Sequence, residues 1–481
     1  MRSWSIAAFF VFLSLTSASA QEAALSPEVK PFVNVNAARV ALQHVRVIDG
    51  TGAAARDDQT VVIANGKIEY AGPYREEKAS GTQVLDLNGY TLIPGLVGMH
   101  DHMFYPTGEV MYHEMGYSFP RLYLAAGVTS LRTTGSLEPY TDLELKKQID
   151  AGQSPGPKIH VTGPYLEGPG TFSVQMHQIT SPEDAVKTVN FWADQGVTSF
   201  KAYNFLTRAQ LGAAIQAAHK RGIKVTGHLC SIGYHEAIAL GIDNLEHGLS
   251  VDTEFFPDKK PDVCPDETKM VSKLIDIPVS DTRIQGLIKD LVDHHVAITS
   301  TLPVFEVFVA GRPPLQQRLL DALAPEARDQ YLEARVRIST PNPARYGPKG
   351  PPWPAMFEHE KQFEHDFAKA GGLLLAGLDP TGAGGVIAGF GDQREIELLV
   401  ETGFTPLEAI HIATSNGAEF LGELDRIGTI AAGKAADLVV IHGDPSTKVE
   451  DIEKVETVFK DGIGYDSAKL IESVRGHVGM N

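Results

Sequence analysis

Six residues able to bind a metal or move a proton recur at the ends of short apolar runs: His100 and His102 in "LVGMHDHMF", Lys201 in "SFKAY", His228 in "VTGHL", His247 in "NLEHG" and Asp379 in "AGLDP". Imidazole nitrogen and carboxylate oxygen are metal-ligand types. Each residue alone has a plainer explanation. Paired core histidines can be satisfied by hydrogen bonds, a lone lysine snorkels or pairs, a single His228 or His247 is structural, and Asp379 before Pro380 is a turn residue. Agreement of five separate run ends by accident is much less probable than any one of these.

Such groups need elements that bring them to one place. A strand repeats every two residues, so His100 and His102 share a face. Eight apolar runs follow one another between residues 93 and 422: "LIPGLVGMH", "VTSLRTT", "KIHVTG", "TSFKAY", "IKVTGHL", "DNLEHG", "VAITSTL" and "LLLAGLD". Helical segments lie between several of them, as in "TRAQLGAAIQAAHKRG", with Thr207 as cap and Gly222 at its close. The pattern predicts an α/β chain with a (β/α)8 TIM-type barrel, whose catalytic groups sit at the C-terminal strand ends. A doubly wound sheet is the alternative, but no Gly-rich phosphate loop follows the first strand. Residues 36–92 and 423–466 are instead β-rich, with Asn65-Gly66 placed as a hairpin turn. They predict a small β-sandwich domain built from both chain ends.

Composition bounds the partners. With 60 acidic against 42 basic residues, a formal charge of −18 repels a phosphate backbone, so no nucleic-acid partner is expected. Residues 1–20 combine Arg2, the apolar "IAAFFVFLSL" and Ala18-Ser19-Ala20, the pattern of a secretory signal peptide. No later run reaches the roughly 20 apolar residues of a membrane span. A periplasmic or secreted chain starting near Gln21 is expected, and a homo-oligomer is compatible with the sequence. Export permits a disulfide between Cys230 and Cys264, the only cysteines, while two free thiols are the alternative.

The six residues, together with "RVIDGTG" near the start and "TPLEAIHIATSNGAEFLG" and "IGTIAAGKAADLVVI" near the end, resemble the binuclear-metal branch of the amidohydrolase superfamily. The likeness is greatest to its imidazolonepropionase-related, prolidase-like members, which include Xaa-Pro and Xaa-Arg dipeptidases and ochratoxin amidases. The resemblance implies a carbamate on Lys201 bridging two divalent metal ions. His100, His102 and Asp379 would hold one ion, and His228 with His247 the other. Zinc suits this set, and manganese or cobalt could occupy it. Such a pair acidifies a bridging water and polarises a carbonyl, with Asp379 moving the proton to the leaving amine. The implied activity is hydrolysis of an amide or peptide-like C–N bond in a small-molecule substrate such as a dipeptide or N-acyl amino acid.

Arg132, Tyr165, His177, Tyr203 and His235 are candidate substrate contacts, Arg132 or a tyrosine through a substrate carboxylate. Residues 339–357, rich in proline, could form a lid or a surface excursion. Two other readings stand beside the amidase. A mononuclear deaminase or imidazolone hydrolase would not need Lys201, and a metal-free scaffold would not keep all six ligand positions.

Overall fold

The computed structural model describes residues 25–107, 111–171, 173–346 and 350–479. The signal-peptide reading of residues 1–20 falls outside them. The eight expected runs form parallel strands: β1 (Leu96–Asp101), β2 (Val128–Thr133), β3 (Lys158–His160), β4 (Ser199–Ala202), β5 (Lys224–Gly227), β6 (Asn244–Glu246), β7 (Ala297–Ser300) and β8 (Leu374–Ala376). β1 to β3 make one sheet and β4 to β8 a second.

Backbone hydrogen bonds join the two sheets at both edges. Gly163 N donates to Ser199 O and Leu166 N to Lys201 O, each at 2.9 Å, while Asp379 N donates to His100 O at 2.9 Å. The last approach depends on Gly377, where an added Cβ would collide with the backbone and Cβ of His100. The result is a mixed α/β architecture of the TIM-barrel class, in which the end of β8 is placed against the end of β1.

Local sequence explains the outer layer. The helix Arg208–His219 begins where Thr207 Oγ1 accepts from Gln210 N and Gln210 Oε1 accepts from Thr207 N, a reciprocal cap. Its buried residues Leu211, Ala214, Ile215 and Ala218 recur at helical spacing and pack on the strands.

Strands from the two chain ends share a sheet, as Leu438–His442 pairs antiparallel with Tyr90–Pro94. Period two divides its residues between two cores: Leu438, Val440 and Phe459 face the sheet's own interior, and Val439, Ile441 and Val458 join the large core shared with the barrel. The ladders differ from the expected two-sheet sandwich. All nine strands belong to one hydrogen-bonded sheet, because Arg39–Val47 pairs with Arg56–Ala64 along one edge and with both Gln83–Asp86 and Tyr90–Pro94 along the other. Asn65 and Gly66 turn the hairpin with φ of 51° and 75°, both positive as a two-residue type I′ turn requires.

Candidate metal centre

His100 is the penultimate residue of β1 and His102 directly follows that strand, Lys201 lies within β4, His228 and His247 directly follow β5 and β6, and Asp379 follows β8. All six sequence-predicted side chains meet at this rim. Lys201 Nζ is 3.1 Å from His100 Nε2. Asp379 Oδ2 is 3.7 Å from His100 Nε2 and 3.9 Å from His247 Nε2, and its Oδ1 is 3.6 Å from His102 Nε2. The His228 ring lies 4.5 Å from that of His247, centroid to centroid. His100, His102 and Asp379 offer ligand atoms that all lie within 4.8 Å of one another.

The orientation of the imidazoles favours ligation. His100 Nδ1 is 2.9 Å from Glu246 Oε2, His102 Nδ1 3.1 Å from Gly135 O, and His247 Nδ1 2.8 Å from Thr301 Oγ1. With each Nδ1 committed to an outer oxygen, each Nε2 is the nitrogen turned toward Asp379, the arrangement by which outer partners orient metal-binding histidines. His247 Nε2 is buried and has no hydrogen-bond partner, so an electron-pair acceptor would satisfy it.

Electrostatics agrees. Burial, reinforced by the Lys201 charge, lowers all four imidazoles, His228 to about 3, so they are neutral ligands near pH 7. Burial lowers Lys201 to about 8 against the opposing pull of Glu246 and Asp379. It raises Asp379 to about 6, against the Lys201 charge and the hydrogen bond from Thr381. His247 and Asp379 also adopt positive φ, 69° and 49°, which non-glycine residues rarely do outside sites that hold them there.

Beneath the centre lies a buried ion pair that sequence reasoning missed in part. Arg132 Nη2 donates to Glu246 Oε1 at 2.8 Å, Nη1 to Thr226 Oγ1 at 3.1 Å and Nε to Met99 O at 3.0 Å. Arg132 and Glu246 are 1% and 0% exposed, respectively. Burial pushes Glu246 upward, but Arg132 and Lys201 outweigh it and hold the carboxylate below its ordinary range. The available signal was two opposite charges, each inside an apolar strand. Glu360 is a second missed residue: it accepts from Leu249 N, Ser250 N and Ser250 Oγ and so pins the loop after His247. An added Cβ at Gly248 would collide with that carboxylate.

A cavity of ≈480 Å³ opens over the rim. Tyr165 and Tyr203 line it as expected. The other proposed substrate contacts are corrected. Arg132 is fully committed below the histidines. His235 is bound to Glu254 at 2.6 Å and to Asp290 at 3.2 Å, and the exposed His177, like His235, lies away from the cavity wall. Cys230 and Cys264 form a disulfide with Cα atoms 4.8 Å apart, and both line the cavity. Of the proposed lid, Trp353 reaches the cavity; residues 347–349 are outside the described set.

Comparison with known proteins gives the same picture. Residues 372–463 match the amidohydrolase family. A dihydroorotase of Pelotomaculum thermopropionicum is 23% identical over 412 residues, covering 82% of this chain and 87% of its own. A Xaa-Pro dipeptidase with methionine bound in its active site superposes with a TM-score of 0.67 at 18% identity, over 89% of this chain and all of that one. Ochratoxinase of A. niger gives 0.61 at 18% identity, over 89% and 96% of the two chains. At these identities the structural likeness is one of fold. Residues 372–463 thus resemble the amidohydrolase family, and the chain as a whole shares a TIM-barrel-class fold with amidohydrolases and dipeptidases of known structure.

Proposed function

We propose that this amidohydrolase-family enzyme, a hydrolase acting on C–N bonds, works with two divalent metal ions held by His100, His102, His228, His247 and Asp379 and bridged by a carbamate on Lys201. The observation that carries this reading is the inward-turned Nε2 set around Asp379, with Lys201 buried beside it. When bound, the ions would supply Lewis acidity toward the scissile carbonyl and toward water.

The chain's own residues do the rest. A lysine lowered toward neutrality by burial has a free electron pair to attack carbon dioxide, forming an N–C bond and releasing one proton, so a cation becomes a bidentate anion. A protonated ammonium would be repelled by two nearby metal cations. Asp379, aimed by Thr381 Oγ1 at 2.8 Å, accepts the proton of the attacking water and returns it to the departing amine. We further place the mature chain in the periplasm or outside the cell, on the leader-like composition of residues 1–20.

Lys201→Ala tests the centre. The expected result is joint loss of bound metal and of amide hydrolysis, partly restored by a short carboxylic acid acting as a substitute bridge; Lys201→Arg should not rescue, since guanidinium keeps its charge. Two metals per chain and wild-type turnover in Lys201→Ala would end the binuclear reading.

A further inference from the structure

The cavity over the metal centre has a wall chemistry that selects among C–N substrates. Two aromatic groups flank the ligand set. On the His102 side, Phe104 stacks on the His102 ring with centroids 4.4 Å apart, Tyr112 packs edge-on to Phe104 at 5.3 Å, and Tyr165 stands 6.3 Å from His102. Beside His247, Phe305 packs edge-on to that ring at 5.8 Å, and Trp353 stacks on Phe305 at 6.1 Å and on Phe308 at 5.2 Å.

Equally informative is the absence of cations. Among the described residues lining the cavity there is no arginine, and the one lysine is Lys201 at its floor. Arg132, a candidate partner for a substrate carboxylate from the sequence, is buried against Glu246. A substrate carboxylate entering this space would lose its hydration without gaining a charge-assisted partner on the walls, and the chain's charge of −18 opposes its approach. The two aromatic clusters, one beside His102 and one beside His247, instead favour apolar rings through area and stacking.

We infer that the substrate is an uncharged amide carrying an apolar, preferably aromatic, group on each side of the scissile C–N bond, and not a dipeptide or N-acyl amino acid recognised through a free carboxylate. This rests on the hydrolase reading above and narrows its substrate class.

The test compares two compounds that differ in one group. N-benzoyl-2-phenylethylamine and N-benzoylphenylalanine share both rings and the scissile bond, and only the second carries a carboxylate. The metal-loaded full chain should favour the neutral amide by about 100-fold in kcat/KM, the scale of a buried charge left without a partner. Trp353→Ala should raise KM for the neutral amide with kcat little changed, and Phe308→Arg should shift the ratio toward the acid. Equal rates, or preference for the acid, would overturn the inference while leaving amide hydrolysis in place. If neither compound is cleaved, the hydrolase reading fails for aromatic amides, and calorimetric binding of the two ketone analogues, with CH2 in place of N–H, decides the substrate class. Tighter binding of the neutral ketone would support it, and equal or weaker binding would overturn it.

Discussion

Replacing Arg132 by methionine tests whether the ion pair under the histidines organises the centre. Arg132 and Glu246 are fully enclosed, and Glu246 uses one oxygen for Arg132 at 2.8 Å and the other for His100 Nδ1 at 2.9 Å. Arg132→Met keeps much of the volume but leaves the buried Glu246 carboxylate without its cationic partner. Removing one partner of a buried pair costs about 3–5 kcal/mol, because the remaining charge is stranded. Glu246→Gln should cost about as much, by stranding the guanidinium. The double variant removes both charges, so its loss should fall short of the summed single losses by about 2 kcal/mol or more. Denaturant unfolding of chelator-treated protein measures the cycle without a contribution from bound metal. The same variants, reloaded, should bind metal about 10- to 100-fold more weakly, since Glu246 fixes the His100 ring. Strict additivity of the losses, or Arg132→Met with unchanged unfolding midpoint and metal affinity, would refute the argument.

Three further outcomes are expected. Chain recovered from the exported fraction should begin at Gln21 and show no free thiol when denatured without reductant, because Cys230 and Cys264 are joined; intact mass with thiol titration reads both, and retained Met1 or two titrating thiols would contradict the corresponding claim. Glu395 is raised to about 8 by burial, with Asp392 and Glu306 adding to the shift and hydrogen bonds from Ser300 and Leu302 opposing it, so its native state holds a proton that the unfolded chain gives up above about pH 4.5. The stability it contributes is present at low pH and is lost as pH rises through about 8, so Glu395→Gln should gain on wild type by roughly 1 kcal/mol between pH 7 and pH 9, and a constant difference would exclude the buried proton.

Periodicity carried most of the scaffold. Eight apolar runs became eight strands because most of their residues are buried, as expected of parallel strands under helices, and that burial leaves apolar-rich runs in the sequence. A chemically active side chain interrupting such a run is conspicuous, which is why His100, Lys201, His228, His247 and Asp379 were found. The same rule exposed Arg132, yet its role was misread. The sequence shows that a cation sits in a strand, but not that an anion sits opposite it on β6, a pairing that depends on barrel register.

The two errors at the substrate side lie off the strands. His177 lies on a connection, where no period fixes which way a side chain points, while His235 opens the short helix Tyr234–Leu240 and faces Glu254 and Asp290 rather than the cavity. The aromatic walls were illegible for a related reason. Phe104 follows β1 by a few residues, but Phe305, Phe308 and Trp353 come from the connection after β7, more than 200 residues away, and meet the histidines only once the barrel rim is assembled. Strand ends therefore encode the reaction class locally, whereas substrate choice is distributed over loops. That division explains how the chain can share its fold with a dipeptidase and an ochratoxinase while its cavity, among the described residues, has aromatic walls and no arginine.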